Sequence, residues 1–290
     1  MRNITIALAV SLLFHVSARC ADTLSIFFTG DILLDRGVRR VINHHGVDHL
    51  FSDGIDSVFR SAQVVVGNLE CPATKIKAPV FKQFIFRAEP EWLDTLKQHG
   101  ITHLNLANNH AIDQGREGLM DTYRNIVAAG MVPLGAGENM QQASEPVLLA
   151  SEPRKVWLVP SLRLALENYA YLPDKPCVSQ EPMDSLLSRV LRLRRADSTA
   201  VIIVSLHWGG EHTLEPVPRQ RHKRKGWPPS GNHPCRHPSM RALHQYAKAS
   251  LTYSPKISFS LFCSPCARSP RATILPCGSM SRLSGMLFTP

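Results

Sequence analysis

Leu104-Asn105-Leu106-Ala107-Asn108-Asn109-His110, continued by Ala111-Ile112-Asp113-Gln114-Gly115, is an apolar run that breaks off in two amides and an imidazole. The run reads as a buried strand and the residues after it as the approach to a helix. Open α/β sheets hold their ligands at such carboxyl ends of strands, so Asn108, Asn109 and His110 are the first candidates for contact with a metal or a phosphate. The same three residues also suit a local role, the two amides shaping a turn and His110 capping or packing beside it.

Upstream and downstream the pattern recurs. Leu24 to Thr29 is a short β-prone run that stops at Gly30-Asp31, and Val64-Val65-Val66 stops at Gly67-Asn68-Leu69-Glu70. Ala200 to Leu206, the most strand-like segment, stops at His207-Trp208-Gly209-Gly210-Glu211. Helices are predicted between these runs. Val38 to Ile42 and Ile55 to Phe59 read as parts of amphipathic helices, with His44 and His45 in the polar connection between them. Pro90 to Gly100 reads as a third, and Ile101 to Ala107 as the strand after it. Glu117 to Ala129 carries Leu119, Met120, Tyr123, Ile126 and Val127 at helical spacing before Gly130. Further strands are expected at Val147 to Ala150 and Val156 to Val159, and a helix over Met183 to Arg195. Strand and helix in alternation predict an α/β protein with a largely parallel sheet covered on both sides.

Asp31, Glu70, Asn109 with His110, and His207 therefore stand at four strand ends. Carboxylates, an amide oxygen and neutral imidazoles suit Mn, Fe, Zn or Mg, and two ions about 3.5–4 Å apart would clamp a phosphate or related oxyanion. In order and in residues, Gly30-Asp31-Ile32-Leu33-Leu34-Asp35-Arg36-Gly37, Gly67-Asn68-Leu69-Glu70, Leu106 to Gly115 and His207 to Glu211 resemble the motifs of the CapA family. These are capsule, or poly-γ-glutamate, synthesis proteins within the calcineurin-like metallophosphoesterase superfamily.

The resemblance runs from about Leu24 to Glu215 and implies a four-layer α/β/β/α sandwich of the metallo-dependent phosphatase type, incomplete at its C-terminal part. It implies a divalent metal centre, mono- or dinuclear, on Asp31, Glu70, Asn109 and His207, with His110 and Asn109 as the catalytic pair. Arg36, Asn68, Asn108 and Glu211, which flank the ligands in the same motifs, are assigned to substrate binding. If the centre is catalytic, activated water attacks a phosphoester or amide-like bond while His110 protonates the leaving group. The alternative is a non-catalytic envelope binding or assembly factor that keeps the fold but has lost the complete metal site. The Asp-x-His of ordinary metallophosphoesterases is absent, because Leu33 stands two places after Asp31.

Composition divides the chain. Overall it carries 290 residues, 44% hydrophobic, with a formal charge of +10. Residues 216–290 hold twelve Lys and Arg, no Asp or Glu, four of the seven cysteines and 11 of the 21 prolines, so residues 1–215 are near neutral at −2. The basic balance therefore does not mark a nucleic-acid-binding protein. Arg2, an apolar run from Ile4 to Phe14 and small residues at Val16-Ser17-Ala18 have the layout of a secretory signal over residues 1–21. The run is shorter than the roughly 20 apolar residues of a membrane span. The expectation is an exported protein of a bacterial periplasm or cell envelope, membrane-associated at most peripherally. Its expected partners are an anionic, poly-γ-glutamate-like polymer or capsule-assembly proteins.

Residues 22–215 form the expected domain, truncated relative to the family. The family's Gly-His-x-His and Tyr-Ser-Leu-Gly-Asn-Phe segments have no counterpart after His207. Residues 216–290 read as an unstructured or frame-shifted tail. Within it Cys235, His237, Cys263 and Cys266 are too loosely spaced and too closely flanked by Pro for a zinc site. Arg221 to Lys225 is a basic run suited to an anionic polymer.

Overall fold

A computed structural model of the protein describes residues 24–164 and 172–208, together with the backbone of Ser258–Cys263. In chain order its elements are β1 (Ile26–Ile32), α1 (Arg36–His45), a 3-10 turn (Val47–Leu50), α2 (Asp53–Arg60), β2 (Val64–Leu69), α3 (Trp92–Gln98), β3 (His103–Asn105) and α4 (Gly115–Ala128). They continue as β4 (Val132–Leu134), β5 (Ala136–Gly137), α5 (Met140–Ala143), β6 (Val147–Ala150), β7 (Val156–Leu162), β8 (Cys177–Val178), α6 (Met183–Ala196), β9 (Val201–His207) and β10 (Ser258–Cys263).

The result is a mixed α/β fold with two four-stranded sheets and a two-stranded pair, β5 with β8. β1-β2-β3-β4 is parallel throughout. In β10-β9-β7-β6 only β7 and β9 run parallel, while the two edge strands are antiparallel to their neighbours. The expectation of one largely parallel sheet thus holds for the first sheet and is corrected for the second. The link from β6 to β7, residues 151–155, is too short for a crossover, so those strands pair as a hairpin.

The valines of β2 show how the layers are assembled. Alternate side chains of a strand face opposite sides. Val65 packs with Leu69 and Leu104 against Ile42 of α1, Ile55 and Phe59 of α2, Leu93 and Leu96 of α3, and Leu119 and Ile126 of α4. Val64 and Val66 face the other way, into a cluster with Leu134, Leu149, Val156, Leu158 and Ile203, which joins the first sheet to the second. The far face of the second sheet packs Val159, Ile202, Val204 and Leu206 against Leu186 and Val190 of α6. A strand buried on both faces needs an unbroken β-branched run, which accounts for Val64-Val65-Val66.

Two local expectations are corrected. His44 and His45 are not in a connection but close α1, where a helix C-terminus favours positive side chains. The strand expected over Ile101 to Ala107 contracts to His103–Asn105, because the Asn105 side chain accepts a bond from the Ala107 amide at 3.1 Å and turns the chain. α3 and α4 end at Gln98 and Ala128, and Gly100 and Gly130 follow with positive φ, as their helix-stopping role predicts. Among the described residues no helix is long and apolar enough to cross a membrane. The expected leader lies outside the described residues, as does the tail apart from Ser258–Cys263.

One buried titratable group opens β3, two residues before Asn105. Burial, reinforced by Lys97, pulls the His103 imidazole from 6.5 down to about 4. Between those values the unfolded chain takes up a proton that the folded chain refuses. The stability present above about pH 6.5 is therefore lost as the pH falls towards 4. Urea denaturation across this window is expected to show a loss on the order of 3 kcal/mol through this residue. In His103→Gln that part of the pH profile flattens.

Candidate metal centre

The registers of the first sheet place Asp31 beside Asn68 and Asn68 beside Asn105. Their side chains link in the same order. Asn68 Nδ2 donates to Asp31 Oδ1 at 2.8 Å, and Asn105 Nδ2 donates to Asn68 Oδ1 at 2.9 Å. Asn108 Nδ2 adds a second bond to Asn68 Oδ1 at 3.1 Å and one to the Leu69 carbonyl at 2.9 Å. The remaining Asn68 proton faces His207 Nδ1 at 3.2 Å. Two donors and two acceptor positions are all an amide side chain has, and all four are used here. Reversing the amide would set N–H against N–H, so its orientation is fixed, and His207 Nδ1 is the acceptor.

Around this hub the expected ligands converge. Asp31 is the penultimate residue of β1, Glu70 follows β2, and His207 ends β9. Their ligand-type atoms all lie within 4.8 Å of one another. Glu70 is held by its backbone amide on the Ile32 carbonyl at 2.9 Å, and its Oε1 lies 3.1 Å from His207 Nε2. Asn109 Oδ1 is 3.2 Å from the same nitrogen. Glu70, Asn109 and His207 are buried and Asp31 is partly so. Two ligand atoms on opposite sides of one ion at roughly 2.1–2.3 Å stand roughly 4.2–4.6 Å apart, so the group matches the size of a single-ion site after small side-chain shifts. Two carboxylates, an amide oxygen and an imidazole are a donor set for a hard or borderline divalent cation. This is the one such group among the described residues. Cys71, next to Glu70, supplies no thiolate, since burial pushes its thiol up to about 12.

His110 belongs to a second, adjoining unit. Its Nδ1 is 2.9 Å from Asp113 Oδ2 and 3.3 Å from Lys82 Nζ; the nearer partner is a carboxylate, which accepts, so Nδ1 carries the proton and Nε2 is left as the nitrogen that exchanges one. Asn108 Oδ1 accepts from the His110 and Ala111 amides at 3.0 and 2.8 Å, which shapes the turn as the local reading of the motif expects. Phe86 lies against the His110 ring at 4.3 Å between centroids. Lys82 Nζ approaches Asp113 Oδ1 at 2.6 Å and donates to the Asn109 carbonyl at 3.0 Å, with the lysine and aspartate side chains 4% and 0% exposed. Gly135, at φ +80, passes this turn so closely that a Cβ there would stand 2.7 Å from the Ala107 nitrogen.

The substrate-binding assignments separate. Asn68 and Asn108 are buried beneath the ligand group with their amides committed to the protein, which makes them positioning residues. Arg36 is exposed at the outer edge, its guanidinium 4.6 Å above Phe84 and 5.1 Å above Phe86. Glu211 lies outside the described residues. Lys82 and Asp113 join the His110 unit through contacts that the motif reading did not announce. The spacing of His110 and Asp113 was a usable signal for the second, while Lys82 sits in an irregular stretch that offers none.

Compared with known proteins, residues 25–225 match a family model described as bacterial capsule synthesis protein, PGA_cap. The chain is 28% identical over 212 residues to the capsule biosynthesis protein CapA of Bacillus anthracis, across 71% of this chain and 51% of that one. It is 29% identical over 208 residues to the PGA biosynthesis protein CapA of Bacillus subtilis, across 69% and 53%. With a probable polyglutamine synthesis accessory protein of Mycobacterium tuberculosis it shares 25% over 232 residues, across 65% and 60%. The chain spans about half the length of the two Bacillus relatives.

Two substitutions test this construction by chemical denaturation. Lys82→Met leaves the Asp113 charge buried without its cation and is expected to cost about 3–5 kcal/mol, whereas Lys82→Met with Asp113→Leu costs less than the sum of the single changes. Asn68→Asp turns a carboxylate oxygen towards Asp31 and is expected to cost about 3 kcal/mol, a loss that an exposed substrate contact would not produce.

Proposed function

Because residues 25–225 make this chain a member of the bacterial capsule synthesis protein family PGA_cap, we propose that it is an exported envelope protein of capsule or poly-γ-glutamate production, built around a divalent metal centre. The observation that carries the proposal is the convergence of Asp31, Glu70 and His207 from three separate strand ends to within 4.8 Å. The names of the Bacillus relatives, which refer to capsule and PGA biosynthesis, support the assignment to that pathway. In this reading the helix, sheet, sheet and helix packing is the four-layer sandwich of metallophosphatases. The apolar clusters on both faces of each sheet support it.

Asp31, Glu70, His207 and the Asn109 amide oxygen would hold the ion. Because His207 Nδ1 accepts from Asn68 and the ring proton sits on Nε2, His207 would ligate through Nδ1 in exchange for the Asn68 bond, and Asn68 would go on setting the direction of Asp31. A bound divalent cation supplies Lewis acidity towards a phosphoryl or acyl oxygen and lowers the pKa of water beside it. His110, oriented by Asp113, gives or takes a proton at Nε2. Lys82 fixes the Asn109 backbone between the two units. Arg36, spread over Phe84 and Phe86, presents its guanidinium to a carboxylate of an anionic polymer. A second ion of a dinuclear centre would draw on residues outside those described.

The second reading is a binding or assembly factor without turnover. Leu33 favours it: where ordinary metallophosphoesterases place a histidine two residues after the aspartate, this chain packs an apolar side chain against the core. Elemental analysis of the purified protein is expected to find about one divalent ion per chain, lost in Asp31→Ala and in His207→Ala. A metal-free protein indifferent to both changes would remove the metal-centre proposal. Where the ion is present, a phosphoester substrate assayed with the parent and His110→Ala separates the readings. Turnover abolished by that change supports a hydrolase, and retention of poly-γ-glutamate without turnover supports the binding factor.

A further inference from the structure

The loop between β2 and α3 inverts the usual burial. Lys82 is turned inward with its side chain 4% exposed. Its neighbour Phe81 is 90% exposed, and Phe84 and Ile85 are 40% and 36% exposed. The backbone beneath them is pinned. Ala78 donates to Gln114 Oε1 at 3.1 Å, Val80 to the Asp113 carbonyl at 3.0 Å, and Phe86 to Asp113 Oδ2 at 2.8 Å. At its far end Arg87, Arg39 and Lys75 close on Glu89, and the Arg87 guanidinium, first among them, holds that carboxyl down to about 2. The phenyl groups are therefore held outward on an ordered base.

We propose that Val80–Ile85, with Arg36 and Lys77 at its margin, is a lipid-docking surface that seats the metal-centre edge of the molecule on an anionic membrane. The size of the patch argues for lipid over a protein partner. A buried aromatic covers about 150–250 Å², so one exposed phenyl with a partly exposed phenyl and isoleucine beside it amounts to a few hundred Å². A stable protein interface needs about 800 Å² per partner. A bilayer interface demands no matching surface and takes isolated aromatic side chains flanked by cations. Of the four basic residues from Cys71 to Ala88, Lys75 and Arg87 are paired with Glu89 and Lys82 is buried on Asp113, so the positive charge offered to an anionic surface is that of Lys77 and Arg36. Arg36 is already laid across Phe84 at 4.6 Å, so the cation and the apolar group form one element.

Hydrogen exchange of the full chain, read by mass spectrometry over residues 78–86, tests the proposal. It is measured without lipid, with phosphatidylcholine vesicles, and with vesicles of equal parts phosphatidylcholine and phosphatidylglycerol. The expected result is exchange slowed at least about threefold by the mixed vesicles, less by the neutral ones, and not at all in Phe81→Ser/Phe84→Ser. Unchanged protection of β2 in the double variant shows that it is folded. Reading the loop locally makes the outcome independent of any hold that residues 1–21 have on the vesicle. Exchange indifferent to vesicles, or slowed equally in the double variant, overturns the proposal. So does protection that rises with protein concentration in the absence of lipid, which assigns the patch to a second copy.

Discussion

Asn68 is the constraint on which the site depends. Its side chain is the middle rung of a ladder from Asp31 to Asn105, and it is fixed in orientation by donors on one side and acceptors on the other. A single neutral amide thereby sets the direction of a carboxylate and the proton position of an imidazole. Hydrophobic packing cannot do this, because the apolar clusters on either face of the sheet restrain position but have no preference about where a proton lies. The energetic condition is strict. A buried amide with one partner missing loses more than the bond is worth, so the ladder is either complete or costly.

Lys82, Asp113 and His110 extend that logic. The lysine is buried because it neutralises Asp113 and at the same time holds the Asn109 carbonyl, which couples the outer loop to the turn that carries both Asn109 and His110. One cation thus joins two units that are separate in sequence, and the candidate ligands and His110 are placed by one connected set of polar contacts. Such a set contributes less to net stability than its short distances suggest, but it leaves few alternative arrangements.

The strand-end motifs were legible because each couples a β-branched or apolar run to a polar stop at a matching offset. Gly30-Asp31, Gly67-Asn68 and Leu104-Asn105 line up across β1, β2 and β3 in the sheet as they do on paper. Periodicity located α4 and α6 to within a few residues. What sequence hid was of two kinds. Asn105 ends its strand by bonding with its own side chain, and a polar residue at the end of an apolar run carries no mark of that choice. Lys82 lies in a loop where no period applies, and its burial is decided by Asp113, 31 residues away in the chain. The antiparallel edges of the second sheet depend on which strands become neighbours, which local pattern does not specify.

The distances along the chain between partners carry one more consequence. Asn68 meets Asp31 and Asn105 across 37 residues each, but it meets His207 across 139. Closing a loop of that length is entropically expensive and is repaid only when β9 has docked beside β7. The first sheet with its helices therefore has the shorter route to its native contacts, and the ligand group is among the last features to form. During synthesis from the N-terminus, Asp31 and Asn68 wait for a histidine that emerges long after them. An ion held by this group would then be taken up at the end of folding and would not nucleate it.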